Sequence, residues 1–159
     1  MLTFKQFIKE GNKNQQLLRA QKQGYHHVII SGAQDGSSDS DKKKQNNAMR
    51  GEYAKAGFVH KKTQGVWNNP DTGKPESEPS GMYKAKTPGR KGAAELLKFT
   101  RNIQKKYKQK AFIHHTPEGK GIAHNQDGSK DTYGKRVANK DNPYGETRFN
   151  RNQKFTYSE

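Results

Sequence analysis

Apolar residues along the chain cluster at 25–31, 48–59 and 93–113, with a few beyond, and long polar stretches separate them. Near the start, Phe4, Phe7 and Ile8 fall at i, i+3 and i+4, one face of a short helix. Gly11 and Asn12 are expected to interrupt it. Leu17 and Leu18 then begin a second polar helical stretch, which Gly24 closes. Tyr25 to Ser31 is short, β-branched and followed by glycine, and predicts a strand. Residues 32–41 read as a flexible loop. Over 42–56 helical spacing returns, with Gln45, Met49, Tyr53 and Ala56 on one stripe.

Phe58 to Lys62 and Val66-Trp67 predict a strand or the start of a hairpin. Residues 68–80, with three prolines and a glycine, read as a long loop of the kind that often carries function. A strand is expected over Met82–Lys86 and a helix over 91–107, where Leu96, Phe99, Ile103 and Tyr107 repeat at three and four. Ala111 to His115 is the next strand, and Gly121 to Ala123 a further one. Residues 125–159 are rich in Asn, Lys, Arg, Gly and Asp with scattered aromatics, and read as an extended tail. The order from residue 25 is strand, helix, strand, strand, helix, strand. That is the split β-α-β pattern of a ferredoxin-like α+β fold, with two helices on one face of an antiparallel sheet and the other face open. The expected organisation is a helical leader at 1–24, a small α+β domain at 25–124 and a basic tail at 125–159.

Composition sharpens this picture. Of 159 residues only 28% are hydrophobic, against about 45–50% in ordinary globular chains. Lys and Arg number 31 against 15 acids, a formal charge of +16. So large a charge repels itself in a compact state, which points to nucleic acid or another polyanion as partner. No Lys-rich amphipathic helix has a broad apolar face, so a membrane surface is not expected. The absence of cysteine excludes disulfides, thiolate metal sites and cysteine nucleophiles. No apolar run approaches the roughly 20 residues of a membrane-spanning helix, and no signal peptide is visible. A cytoplasm, or the inside of a particle, is the expected location.

Basic residues mark candidate polyanion contacts: Lys42, Lys43 and Lys44; Lys105 and Lys106; Lys135 and Arg136; Arg148 and Arg151. Charges so spread meet phosphates without reading sequence, and interleaved aromatics can stack on open bases. No zinc finger, helix-turn-helix spacing, P-loop or dinucleotide fingerprint is present. His26-His27 and His114-His115 lie on two strands expected to be neighbours. No carboxylate completes a metal set, so neither a metal nor a cofactor is expected.

Two resemblances add chemistry. Met-Leu-Thr-Phe-Lys-Gln-Phe-Ile-Lys-Glu at the N-terminus resembles the capsid-targeting leaders of T-even-like phages. Ile8-Lys9-Glu10 matches the pattern at which such leaders are cut, with Glu10 as the processing residue. That implies a phage protein of the host bacterial cytoplasm or virion interior, with capsid or portal components among its partners. The second resemblance covers residues 25–128. The chain has Asn47-x-x-Arg50 on a helix, Gly57, Gly65-Val66-Trp67, Glu78-Pro79-Ser80, and Gln109 before the strand Ala111-Phe112-Ile113. This order is similar to an uncharacterised small domain family of bacteria and phages and, more distantly, to phage S-adenosylmethionine lyases, which serve against host restriction.

The lyase resemblance implies a reaction in which the substrate's own carboxylate displaces methylthioadenosine from the sulfonium. The protein folds the substrate into reacting shape and excludes water. Glu78 would take the role of the essential acid. Trp67 would face the sulfonium where the lyases have tyrosine, and Asn47, Arg50 and Ser31 would hold substrate. Pro79 and the polar insertion at 68–77 depart from the family pattern. Two functions follow as expectations: a lyase-like enzyme, with homo-oligomerisation to cover the open sheet face, or a non-enzymatic virion protein binding nucleic acid or an acidic partner.

Overall fold

The computed structural model describes residues 4–68, 72–138, 146–150 and 153–158, except the side chains of 4–12, 67, 68, 75, 138, 150 and 153. In chain order the described elements are α1 (Phe4–Lys22), β1 (His27–Ile30), α2 (Asp39–Lys55), β2 (Val59–Asn68), β3 (Pro75–Lys84) and α3 (Gly89–Lys106). β4 (Ala111–His115), β5 (Lys120–Asn125), β6 (Lys130–Ala138), β7 (Glu146–Asn150) and β8 (Gln153–Tyr157) follow. α1 runs through Gly11 and Asn12 without the expected break. Its C-terminal half is held in place by packing, which overrides the poor helix propensity of glycine.

The strands close into one antiparallel barrel in the order β1-β3-β2-β7-β8-β6-β5-β4. The ferredoxin-like expectation is therefore wrong. β4, β1, β3 and β2 do lie side by side, but the sheet continues at both sides. β2 pairs with β7 and β4 with β5, so neither is an edge and no sheet face stays open. An open sheet would leave rows of unpaired backbone groups, which closure removes. The residues expected to form an extended basic tail supply β6, β7 and β8. Phe149 and Phe155 are buried there, and Tyr157 packs against the same cluster.

Two cores result. Val28, Ile30, Tyr83 and Phe112 pack outward against Met49 and Tyr53 of α2 and Leu96 and Ile103 of α3. Ile29, Met82, Phe149 and Phe155 fill the barrel with Leu17 of α1. Alternation along β1 sends Val28 and Ile30 to one core and Ile29 to the other. α1 spans one mouth of the barrel. Gln16 accepts from Lys61 of β2 at 2.8 Å, Gln21 lies 3.0 Å from the His115 ring of β4, and Asn14 accepts from Arg136 of β6 at 3.0 Å.

The long loop expected at 68–80 is mostly strand: β3 pairs with β2 from Val59↔Lys84 to Asn68↔Pro75. β1 accompanies β3 only over Gly81–Lys84. Residues 75–80 thus have a strand partner on one side alone, which is where a proline lacking its N–H is tolerated. At this overhang the barrel opens opposite α1.

Candidate functional site

Ser31 directly follows β1 and meets the overhang. Its Oγ donates to Pro79 O at 2.7 Å and accepts from Ala33 N at 3.0 Å. The loop beyond it crosses tightly over α2. A Cβ on Gly32 would sit 2.7 Å from Gln45 O and 2.8 Å from Asn46 Cα, so only glycine passes. Asn46 secures the crossing, accepting from Gly32 N at 3.1 Å and donating to Ser80 O at 3.4 Å. Gln45 accepts from Gln34 N at 2.8 Å and donates to Ser37 Oγ at 2.9 Å. Buried Gln109 donates to Ala33 O at 2.8 Å and Tyr107 O at 3.1 Å. The Thr63 and Ser80 hydroxyls are bonded at 2.7 Å.

These contacts frame a cavity of about 420 Å³ in the open mouth. Its walls are mainly apolar, with Ile29, Ile113 and Phe155 among them, and Ser31, Gln109, Thr147, Tyr133 and Tyr157 add polar atoms. An eight-stranded barrel has room for packed side chains or one small ligand. Gly65 lies between Glu78 and Thr147 on the adjoining strands and presents no side chain there.

Two acids line this cavity: Glu146, which is paired with Arg148 and Lys154, and Glu78. Burial pushes the Glu78 carboxyl above the usual range; Lys42 and a hydrogen bond from Ser31 oppose the rise, and Asp35 and Glu76 add to it. Ser31 has one hydroxyl proton, so it serves Glu78 or the Pro79 carbonyl at any moment. A half-buried carboxylate of this kind favours a proton or a bound cation.

Of the other residues singled out in the sequence, Trp67 is paired in β2 with Glu76, and its side chain lies outside the described residues. Asn47 is exposed on α2, and half-buried Arg50 acts on His60 and Tyr83 rather than lining the cavity. Asn46, Tyr133, Thr147 and Tyr157 were not singled out as site residues, and Gly65 entered only as part of the Gly65-Val66-Trp67 motif. Asn46 had a usable signal: it precedes Met49 by three and Tyr53 by seven, on the buried stripe of α2.

Lys43, Lys44, Lys105 and Lys135 are exposed and Lys42 half-buried. Lys106 donates to Glu52 at 2.6 Å, and Arg148 to Glu146 at 2.7 Å. Arg136 is half-buried, 5.8 Å from the Phe155 ring centre. Arg151 lies outside the described residues, as does the side chain of Glu10 within α1. The histidine strands are neighbours, with His27 opposite His115 and His26 Nδ1 2.7 Å from His114 Nε2. Among the described residues no three His, Cys, Asp or Glu are placed to hold a metal.

No family model matches the chain, and no curated protein matches it. Among solved structures, a phage SAM lyase in complex with S-methyl-5'-thioadenosine is similar at a TM-score of 0.35 and 14% identity, over 69% of this chain and 85% of that one.

Proposed function

We propose that the open-mouth cavity binds S-adenosylmethionine, or a closely related sulfonium nucleoside, and cleaves it to methylthioadenosine and a lactone. The observation that carries this reading is Glu78. Its carboxylate is recessed among apolar and aromatic walls, where burial raises the cost of its charge. A cationic ligand relieves that cost. The sulfonium and amino group of the substrate are such cations, and aromatic walls attract them further. The motif order Asn47-x-x-Arg50, Gly65-Val66-Trp67, Glu78-Pro79-Ser80 supports the same substrate.

In the reaction, an oxygen of the substrate's carboxylate bonds to the carbon γ to it, and that carbon's bond to sulfur breaks. The electron pair stays on sulfur, which becomes the neutral thioether. No protein nucleophile and no external proton are needed. Glu78 holds the amino group or the cation, Ser31 turns its hydroxyl from the Pro79 carbonyl to Glu78 when the carboxylate is ionised, and the apolar wall keeps water from competing.

The test is incubation of purified protein with S-adenosylmethionine, following methylthioadenosine by chromatography, beside Glu78→Gln. Product from wild type and a loss of about a hundredfold or more in the variant is expected, the scale of a lost charge contact at a reacting centre. Absence of product from wild type overturns the reading.

A second, non-enzymatic reading rests on the charge of +16 and on exposed Lys43, Lys44, Lys105 and Lys135. It takes nucleic acid or another polyanion as partner. Its mark is affinity for duplex DNA that falls steeply as salt rises.

A further inference from the structure

A second cavity, about 290 Å³, lies at the α1 end of the barrel, lined in part by Leu17, His27, His60, Lys61, Met82 and Lys84. It holds several bases and, among the described residues lining it, no acid. His27 is 5% exposed, and its Nδ1 is buried with no hydrogen-bond partner. Lys61 is half-buried, and its ammonium is held down to about 8 by burial and by the charges of Lys13 and Lys84. One of its three donors goes to Gln16, leaving two. Lys84 has its Nζ 4.5 Å from the Tyr25 ring centre. His27 is kept neutral by burial and by Lys61, Lys84 and His26, and His115 is 5.9 Å from it on β4. His60 is likewise lowered by burial, Arg50 and Lys62. Every charge acting on His27, Lys61 and His60 is thus of one sign.

We propose that this cavity is a binding site for a terminal phosphomonoester, entered from outside and distinct from the open-mouth cavity. β1, β2 and β3 each offer one donor group, His27 Nδ1–H, Lys61 and Lys84. A phosphomonoester has three acceptor oxygens and nearly two negative charges, so it satisfies all three and neutralises the crowded cations. A carboxylate has one oxygen and one charge fewer. At about 30 Å³ per water the cavity has room for roughly nine or ten waters, enough for a phosphoryl group and part of its carrier. His27 is 5% exposed and its Nδ1 is closed to solvent, so the ring must turn slightly to donate, and a terminal phosphate suits so recessed a group better than an internal nucleic-acid phosphate does. The carrier is a free metabolite or the end of a strand.

Calorimetry with glycerol phosphate, and with glycerol beside it, tests the chemistry without offering a ligand for the other cavity. Saturable binding of the phosphate ester alone is expected, weakened about tenfold or more by Lys61→Gln and by Lys84→Gln. Lys98→Gln, an equal loss of charge on exposed α3, should change it less than about twofold. A 5′-phosphorylated oligonucleotide is compared with its 5′-hydroxyl twin. Preference for the phosphorylated strand assigns the site to strand ends, and no preference assigns it to small esters. In the unaltered protein, phosphate titration should shift the His27 imidazole resonances saturably, which reads the site even if a variant misfolds. No saturable binding, a stationary His27, or equal losses from Lys61→Gln and Lys98→Gln overturns the proposal.

Discussion

One helical step of about 100° separates Asn46 from Asn47, and it decides which of them shapes the site. Asn46 points into the crossing beneath Gly32 and bridges to Ser80, and Asn47 points to solvent. Asn46→Ala leaves the buried Gly32 N–H without its partner and removes the longer bond to Ser80 O, and should cost about 1–3 kcal/mol in denaturant unfolding. Asn47→Ala should stay within about 0.5 kcal/mol; equal costs would remove Asn46 from this role. Glu78 supplies a second prediction with a sign. Its folded carboxyl holds a proton more tightly than the unfolded one, whose value is near 4.5. Ionised Glu78 therefore works against folding at neutral pH, and the penalty disappears once pH falls below the unfolded value. Glu78→Gln should melt at a higher temperature than wild type at pH 7, and the gap should close on acidification. A functional acid is expected to lower stability in this way. A gap that persists unchanged at low pH would rule out the charge as its cause.

At the scale of elements, β6, β7 and β8 separate a closed barrel from an open sheet. Removing residues 130–159 strips β5 of β6 and β2 of β7, and deletes Phe149 and Phe155 from the inner core. Each large buried ring contributes about 1.5–3 kcal/mol by burial alone, and two new edges would stand open. The truncated chain should lose its cooperative thermal transition; a dispensable tail would leave the transition in place. The sequence made the helices and β1, β2, β4 and β5 legible because their apolar residues recur at three and four in α3 and run unbroken in β1. It hid the last three because their inward residues are few and spaced by lysine, arginine and asparagine. Phe149 is the lone large apolar residue of β7, only Phe155 and Tyr157 in β8 are spaced by two, and over such short runs that pattern resembles a polar tail. β3 was hidden for another reason. Pro75 and Pro79 read as breakers, and nothing local says that β1 stops at the register of Gly81. Glu78 was legible as a candidate acid through its motif. The residues opposite it were not, because β7 and β8 reach the cavity only by closure of the barrel.

At the scale of the whole molecule, the histidines and the net charge act together. His27, His114, His115 and His124 are buried along adjoining β1, β4 and β5. Burial holds His27 down to about 3 and His114 and His124 to about 4, and drives His115 well below its ordinary range. His114 is also opposed by His26, His124 and Lys130, and His124 by Lys130 and Arg101. The sign is the same for all four. The unfolded chain takes up protons near 6.5 and the folded chain does not, so stability is full above that pH and falls as pH drops from about 6.5 toward 4. Glu78 pulls the other way, but it is one group against four and is only half-buried. Each proton also adds to a charge already at +16, which disfavours the compact state further. The thermal midpoint should therefore fall steadily between pH 7 and pH 4.5. Added salt should recover part of the loss by screening the net charge, and none of the part due to desolvation of the rings. His114→Gln should flatten the slope by removing one of the four titrations. A midpoint that stays level across that window would mean that these rings take up protons without opening the β1, β4 and β5 seam.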